Sequence, residues 1–155
     1  MIFVTVGTHY LGFERLVKKM DEIAGEIDEE VIIQVGHTDY EPENAEWFRF
    51  IDPEKINEIY NNADIIVAHA GAGTLLDAIY FEKDIVVVPR IKKYNEHIDD
   101  QQLELAKTLE KSGKALAVYD IKDLDHIIKK TAKMEKTIFN NDKDLTNYLK
   151  EFLGD

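Results

Sequence analysis

Residues 68–102 read AHAGAGTLLDAIYFEKDIVVVPRIKKYNEHIDDQQ, and this stretch decides the fold. Two apolar strands, predicted over 65–68 and 85–88, enclose a turn of small residues and a helix predicted over 73–82. A further helix is predicted over 96–112. Because parallel strands end at the same edge of a sheet, glycines, a helix N-terminus, carboxylates and amides meet there. Such an edge suits a phosphorylated, sugar-bearing ligand.

The remainder of the chain continues the alternation of apolar strands and helices. Several strands are apolar along their whole length, which is typical of strands buried on both faces of a parallel sheet. We therefore predict an α/β fold, a single Rossmann-like domain over residues 1–155 with a doubly wound parallel sheet and helices on both faces. The other strands are predicted over 1–6, 31–35, 47–50 and 115–118, and the other helices over 13–26, from Pro53 onward, over 123–134 and over 142–152.

The composition excludes several classes of protein. The chain has 155 residues, of which 45% are hydrophobic, no cysteine, and a formal net charge of −12. A strongly acidic chain without a concentrated basic face does not suit nucleic acid. The absence of cysteine excludes disulfides and thiolate metal sites, and the apolar runs are too short to span a membrane. We expect a cytoplasmic protein.

The first candidate element of a site is the turn after the opening strand. Gly7 allows a ligand to approach the backbone closely, and Thr8 can donate its hydroxyl to an anion. A glycine after a first strand is common, so an ordinary turn is the alternative. His9 and His69 lie at the ends of two predicted strands, where either ring could contact a phosphate.

The second and stronger element is the turn Gly71-Ala72-Gly73-Thr74, which opens a predicted helix. Unpaired N–H groups and the helix dipole at such a start favour a diphosphate. The alternative is a tight strand-to-helix turn with Thr74 as its cap. Asp77 either interacts with the helix dipole or accepts hydrogen bonds from a ribose diol, and both interpretations stay open.

The third element is the run Asp99-Asp100-Gln101-Gln102. Each of these side chains offers two polar atoms, which suits the hydroxyl groups of a sugar. The alternative is a polar helix start with Asp99 or Asp100 as the N-cap.

Several catalytic motifs are absent from the sequence. There is no nucleophile elbow, no GxxxxGK[ST] phosphate loop and no zinc signature. Gly71-Ala72-Gly73 is followed by Leu76, where a GxGxxG fingerprint needs its third glycine, and this disfavours a dinucleotide dehydrogenase. We expect neither a metal ion nor a cofactor.

Together, these motifs resemble the C-terminal, donor-binding domain of GT-B glycosyltransferases of family 28. The chain is most similar to short, single-domain members, namely the catalytic subunit of the dolichol-pathway N-acetylglucosaminyltransferase and bacterial exopolysaccharide subunits. The motifs that carry the resemblance are Ile2-Phe3-Val4-Thr5-Val6-Gly7-Thr8, Phe13, Arg15-Leu16-Val17, His69 to Thr74, Val88-Pro89-Arg90, His97, Asp99 and Gln101 to Ala106.

The resemblance implies a role for individual residues in binding a UDP-sugar donor. Asp77 stands where many family members have a ribose-binding glutamate, and its side chain is one methylene shorter. The residues implicated are Gly7, Thr8, Gly71, Ala72, Gly73 and Thr74 near the diphosphate, Phe50 and Ile51 at the uracil, Asp77 at the ribose, Arg90 at the departing UDP, and Gln101 and Gln102 at the sugar. His69 and Asp100 join these predicted ligand-binding residues because of their positions in the sequence, His69 at a phosphate and Asp100 at the sugar.

The resemblance also implies a function. GT-B transferases act in a cleft between two domains, and this chain corresponds to the donor half alone. We expect the catalytic, donor-binding subunit of an inverting glycosyltransferase that transfers a hexose such as N-acetylglucosamine to a lipid-linked acceptor. A separate membrane-anchored subunit would bind that acceptor, supply the general base, and hold the chain at the cytoplasmic face of the membrane. His9 is the candidate base within this chain.

Two alternatives to a transferase stay open. The chain could be a non-catalytic UDP-sugar-binding protein. It could also be a nucleotide-sugar epimerase-like homodimer, in which a second copy supplies the second domain. The open acceptor side would also suit self-association of the isolated chain as a homodimer.

Overall fold

The apolar runs form the strands of one parallel sheet in the computed structural model of the chain, which describes residues 1–133 and 143–151. The strands are β1 (Ile2–Thr5), β2 (Val31–Gln34), β3 (Glu46–Phe48), β4 (Ile65–Ala68), β5 (Asp84–Val87) and β6 (Leu116–Ala117). Their order across the sheet is β3-β2-β1-β4-β5-β6, and every neighbouring pair is parallel. The chain therefore winds outward from β1 in one direction and returns to wind outward in the other.

Helices cover both faces of the sheet because alternate strand side chains point to opposite sides. The helices are α1 (Glu14–Glu26), α2 (Pro53–Asn62), α3 (Ala72–Tyr80), α4 (Gln101–Lys111), α5 (Leu124–Lys133) and α6 (Lys143–Lys150). On one face, Ile2 and Val4 pack in a buried cluster with α1 and α5. On the other face, Phe3 and Ile66 pack with α2, α3, α4 and α6. The doubly wound α/β fold is thus confirmed.

The start of α4 differs from the prediction of a helix over 96–112. The helix begins at Gln101, and the preceding loop contains a short 3-10 turn over Lys92–Tyr94. Asn95 then takes a left-handed φ of 57°. The carboxylate of Glu96 is bound to Arg15 of α1. This distant partner holds Glu96 outside the helix. The end of α4 agrees with the prediction, because Gly113 follows it with φ 74°.

The remaining boundaries differ less. The third strand was predicted over 47–50 and is observed as Glu46–Phe48, so Phe50 lies in the loop that follows it. The closing helices were predicted to include residues 134, 142 and 152, which lie outside the described residues. The prediction of a single domain over 1–155 also includes those positions and stays a prediction.

A buried glutamine at the end of β2 fixes the end of β1. The Oε1 atom of Gln34 accepts hydrogen bonds from Thr5 Oγ1 at 2.8 Å and from the N–H groups of Val6 and Gly7 at 3.0 Å. Its Nε2 atom donates to the carbonyls of Gly7 and Arg49 at 3.0 Å. One side chain therefore holds the turn at Gly7 in a defined position beside the end of β4.

A buried aspartate in α1 organises the loop between β2 and β3. The carboxylate of Asp21 accepts hydrogen bonds from Tyr40 Oη at 2.7 Å and from the N–H groups of Glu43, Asn44 and Ala45 at 2.8 to 3.2 Å. Burial alone would raise the pKa of Asp21, but these four donors hold it below its usual value.

Candidate functional site

A cavity of about 560 Å³ opens at the carboxyl ends of β1 and β4, beside the N-terminus of α3. This is where the winding of the sheet reverses, the usual place for a ligand in an open α/β sheet. Predicted site residues from all three sequence elements meet here with the candidate base His9. The residues lining this cleft are Gly7, Thr8, His9, Tyr10, His69, Gly71, Gly73, Thr74, Asp77 and Gln102.

His69 lies at the floor of the cleft between two glycines. A Cβ atom on Gly7 would come 2.5 Å from His69 Nε2, and one on Gly71 would overlap the same ring. Gly7 also has φ 75°, in the left-handed region that favours glycine. These two glycines therefore make room for the imidazole, and not only for a ligand as the sequence suggested. Gly73 differs, because a Cβ there would meet nothing within 4 Å and would extend into open space.

The imidazole of His69 is held at both nitrogens. Nδ1 lies 3.1 Å from Gln102 Nε2, and Nε2 lies 3.2 Å from Thr74 Oγ1. Burial, together with the positive charge of Arg90, lowers the pKa of His69 to about 3. The ring is consequently neutral across the physiological pH range.

The N-terminus of α3 presents backbone donors to the cleft. Gly71 is the N-cap residue, and the first backbone hydrogen bond of the helix runs from Leu75 N–H to Gly71 O at 3.0 Å. The N–H groups of Ala72, Gly73 and Thr74 precede that bond and have no acceptor within the helix. No side chain caps this end, so the alternative in which Thr74 serves as the cap is wrong. An anion fits this end of the cleft.

Asp77 stands one turn further along α3, on the cleft wall. It borders both the cleft and a second cavity of about 180 Å³. The walls of the cleft exclude part of its water and raise the pKa of its carboxyl. Its carboxylate makes no hydrogen bond or ion pair with any described residue, and it is available to a ligand.

The second cavity is largely apolar and adjoins the first. Phe50, which is 49% exposed, lies in this cavity with its ring centroid 5.1 Å from that of His37. Ile56 and Tyr60, one turn apart on α2, were not predicted as site residues. Ile56 and Tyr60 are four residues apart on the inward side of the helix, and this spacing could have indicated from the sequence that both line the same pocket. The residues lining this apolar pocket are Phe3, Thr5, Gly7, Thr8, Gln34, Phe48, Phe50, Ile51, Ile56, Tyr60, Thr74 and Asp77.

Arg90 does not reach the cleft, contrary to the expectation that it contacts the ligand. Its side chain is fully buried. The guanidinium donates to the carbonyls of Val6, Leu11, Gly12 and Glu96 at 2.7 to 3.2 Å. Burial lowers the pKa of Arg90 to about 10, which leaves it charged at pH 7. Arg90 therefore joins loops beneath the cleft.

Asp100 and Gln101, which were predicted to contact the sugar, also lie outside the cleft lining. The carboxylate of Asp100 accepts a hydrogen bond from Lys92 N–H at 3.0 Å. The backbone of Gln101 donates to Asp99 Oδ1 at 3.0 Å. Asp100 occupies the N-cap position of α4, but its side chain makes no capping bond. The structure thus brings only Gln102 of this run into the cleft.

His9 borders the cleft, but its geometry does not suit a base. Nδ1 accepts a hydrogen bond from Leu11 N–H at 3.1 Å. The ring stacks on Tyr10 and lies 4.6 Å, between centroids, from His97. Burial and the charge of Arg90 lower the pKa of His9. Because Nδ1 accepts the hydrogen bond from Leu11, the neutral ring carries its proton on Nε2, and that nitrogen is a donor.

Neither a metal-binding cluster nor a membrane-spanning helix is found among the described residues. Within 1–133 and 143–151, no group of three or more histidine, cysteine, aspartate or glutamate side chains is arranged to hold a metal ion. Among the same residues, no helix has the length and hydropathy needed to cross a membrane.

Comparison with known proteins finds similarity to glycosyltransferases. Residues 1–153 match the glycosyltransferase family 28 C-terminal domain. The human UDP-N-acetylglucosamine transferase subunit ALG13 is 33% identical over 125 residues, covering 72% of this chain and 10% of the human protein. The matching ALG13 of Candida albicans is 29% identical over 55% of this chain and 27% of its own length. The chain therefore spans only a small part of these relatives.

Solved structures show the same fold. The glycotransferase of kitacinnamycin superposes with a TM-score of 0.66 at 18% identity, covering 98% of this chain and 40% of that one. The solution NMR structure of ALG13 gives a TM-score of 0.63 at 16% identity, covering 97% and 96%.

Proposed function

Because the chain belongs to the glycosyltransferase family 28 C-terminal domain, we propose that it is the catalytic, donor-binding subunit of an inverting UDP-sugar glycosyltransferase. The observation that carries this proposal is the pair of adjoining cavities, which share the lining residues Gly7, Thr8, Thr74 and Asp77. One cavity is apolar and the other presents backbone donors. A nucleoside diphosphate has the same sequence of chemical groups, from aromatic base through ribose to diphosphate.

Each part of UDP has a matching environment. The uracil would enter the apolar pocket against Phe50 and Ile51. The ribose hydroxyls would donate to the carboxylate of Asp77, which has no partner among the described residues. The diphosphate would lie at the N-terminus of α3, on the N–H groups from Ala72 onward. The sugar would then extend toward His9 and Tyr10.

The same arrangement would assist bond cleavage. Negative charge on UDP grows as the glycosidic bond breaks, and fixed N–H groups with the Thr74 hydroxyl would stabilise that charge. The acceptor hydroxyl must lose a proton to a base. His9 presents a donor in the observed geometry, so we assign the base to a second subunit.

The names of the relatives suggest the sugar and the assembly. ALG13 is named as a subunit of a UDP-N-acetylglucosamine transferase, so we propose N-acetylglucosamine as the transferred hexose and a lipid-linked acceptor. A membrane-anchored partner subunit would bind that acceptor against the open side of the cleft. The chain would then work at the cytoplasmic face of the membrane through this partner.

Calorimetric titration with UDP, ADP and dTDP tests the proposed donor site. We expect UDP to bind most tightly, and Asp77→Ala to weaken UDP binding about tenfold, the effect of losing a hydrogen bond to a charged group. Asp28→Ala is the matched control, since Asp28 is exposed before β2 at the opposite edge of the sheet. Folded wild-type protein that binds none of these nucleotides would overturn the donor site. Equal UDP affinity of the Asp77 and Asp28 variants would overturn the ribose contact.

Transfer itself needs the proposed partner. Tagged protein purified from its own cells should bring a membrane protein with it, and that complex should release UDP from UDP-N-acetylglucosamine when lipid acceptor is present. A complex that binds UDP but releases none would indicate the non-catalytic alternative. Conversion of the UDP-sugar to its epimer by the isolated chain would indicate the epimerase alternative.

A further inference from the structure

The side-chain amide of Gln102 has only one orientation that satisfies its neighbours. One end of the amide lies 3.2 Å from Ala70 N and 3.1 Å from Arg90 N. Both of these are backbone N–H donors, and they need an oxygen acceptor. The oxygen of Gln102 must therefore face them, and the NH₂ group must face His69. Gln102 is buried, so water does not offer an alternative arrangement.

This orientation determines which nitrogen of His69 carries the proton. Gln102 Nε2 donates toward His69 Nδ1 across 3.1 Å, so Nδ1 must present its lone pair. A neutral imidazole with a free lone pair on Nδ1 carries its hydrogen on Nε2. That hydrogen points at Thr74 Oγ1, 3.2 Å away.

The direction of the Thr74 hydroxyl follows from the same reasoning. Its oxygen accepts the hydrogen of His69 Nε2, so its own proton is left to be donated elsewhere. No described residue accepts that proton, and Thr74 lines the cleft. A hydroxyl in this state is a donor to whatever anion lies at the N-terminus of α3.

We propose that Gln102 is a positioning residue, which fixes His69 as the Nε2–H tautomer and so makes the Thr74 hydroxyl a hydrogen-bond donor toward the ligand. The ligand named here, a diphosphate, rests on the proposed function. The resemblance implied that Gln102 contacts the donor sugar. In the structure, the amide oxygen of Gln102 accepts from the backbone of Ala70 and Arg90, and one N–H of its amide is directed to His69.

Long-range ¹H–¹⁵N NMR of the imidazole nitrogens tests the tautomer without any ligand. The wild-type protein should show His69 protonated at Nε2 and unprotonated at Nδ1 at neutral pH. A hydrogen on Nδ1 in the wild-type spectrum would overturn the proposal. This measurement needs no UDP, so its result on the tautomer of His69 does not depend on whether the cleft binds UDP.

The Gln102→Glu variant keeps the shape of the side chain but replaces the NH₂ group by a second acceptor. At pH 8.5, where the imidazole should stay neutral, His69 should change to the Nδ1–H tautomer. The Thr74 hydroxyl would then donate to His69 Nε2 and turn its lone pairs toward the diphosphate. UDP affinity should fall about tenfold or more. Lys107→Gln, on the exposed side of α4, gives the same change in net charge and should keep wild-type affinity.

A double-mutant cycle separates positioning from simple charge repulsion between the introduced carboxylate and the diphosphate. Thr74→Val removes the hydroxyl without removing bulk. If Gln102 acts through Thr74, Gln102→Glu should lower UDP affinity much less in the Thr74→Val background than in the wild type. An equal loss in both backgrounds would overturn the proposal, because repulsion does not depend on the hydroxyl. Thr74→Ser keeps the hydroxyl, so in this background Gln102→Glu should lower UDP affinity by about the same factor as in the wild-type background.

Discussion

Arg15, which is partly buried, and Glu96, which is buried, form an ion pair that joins α1 to the loop before α4. Arg15 Nε lies 3.0 Å from Glu96 Oε2, and Arg15 Nη2 lies 2.9 Å from Glu96 Oε1. Arg15 Nη2 also donates to Pro89 O at 3.0 Å. The pair thus fixes the loop that leads into Gln102.

Breaking this ion pair should destabilise the protein strongly. Glu96→Gln leaves the partly buried guanidinium of Arg15 without its counter-charge, which costs about 2 kcal/mol, less than the loss of a partner from a fully buried pair. Urea unfolding at pH 7 measures this change. Glu14→Gln is the matched control, since its pair with Lys18 is exposed, and it should change stability by less than about 0.5 kcal/mol. Equal stability of the two variants would show that the Glu96 pair contributes nothing.

The Asp21 carboxylate should make stability depend on pH. Its pKa is lowered in the folded state, so its contribution is present above the unfolded pKa of about 4 and is lost as the pH falls through the lower folded value. Asp21→Asn should lower the free energy of unfolding by about 2 kcal/mol at pH 7. Urea unfolding at a series of pH values should show this difference shrinking below about pH 4. A difference that is constant with pH would contradict the assignment.

Two glycines of one turn should respond differently to alanine. Gly71→Ala forces a methyl group into the His69 ring and should destabilise the fold by about 1–3 kcal/mol. Gly73→Ala meets no atom within 4 Å, and helix propensity should leave stability equal or raise it by up to about 1 kcal/mol. The Gly73 variant should nevertheless bind UDP more weakly, because its methyl group projects into the cleft. Thermal unfolding and UDP titration of both variants check this contrast.

Phe50 should act in binding more than in folding. Phe50→Ala should lower the affinity for UMP and UDP by about tenfold, as loss of a base-stacking ring does. Because the ring is 49% exposed, the unfolding midpoint should shift little. Tyr80→Ala, at the other end of α3 with 80% exposure, is the control and should leave both affinities unchanged. If the Phe50 variant bound UMP as tightly as the wild-type protein does, the proposed placement of uracil in this pocket would be wrong.

The fold could be predicted from the sequence because its signals are local. Apolar strands, the helical spacing after Phe13 and the glycine turn at Gly71 each lie within a few residues. The cleft residues Gly7, Thr8, Thr74 and Asp77 could be predicted for the same reason, because they lie shortly after predicted strands. The ends of parallel strands meet at one edge of the sheet, so a correct prediction of the strands also predicts where these residues lie.

The positions of Arg90 and Glu96 could not be predicted in the same way. Glu96 was predicted to lie in a helix, but it lies in the loop before that helix and binds Arg15, which is 81 residues earlier in the chain. Arg90 is buried by carbonyls of Val6, Leu11 and Gly12, which lie 78 to 84 residues away. When only residues close in the sequence are considered, an arginine near a predicted phosphate-binding turn indicates a contact with the ligand. Its actual partners become visible only once the sheet brings the two loops together.

Because Arg90 is buried away from the cleft, the proposed binding of UDP should depend on ionic strength in an unusual way. No lysine or arginine is among the described residues that line the cleft, and the chain carries a net charge of −12. A diphosphate would approach a protein that is also negatively charged. Once bound, it would be held at short range by the backbone dipoles at the N-terminus of α3. Added salt screens that long-range repulsion, within about 10 Å at 0.1 M. Salt should therefore speed the arrival of UDP while leaving its rate of departure nearly unchanged.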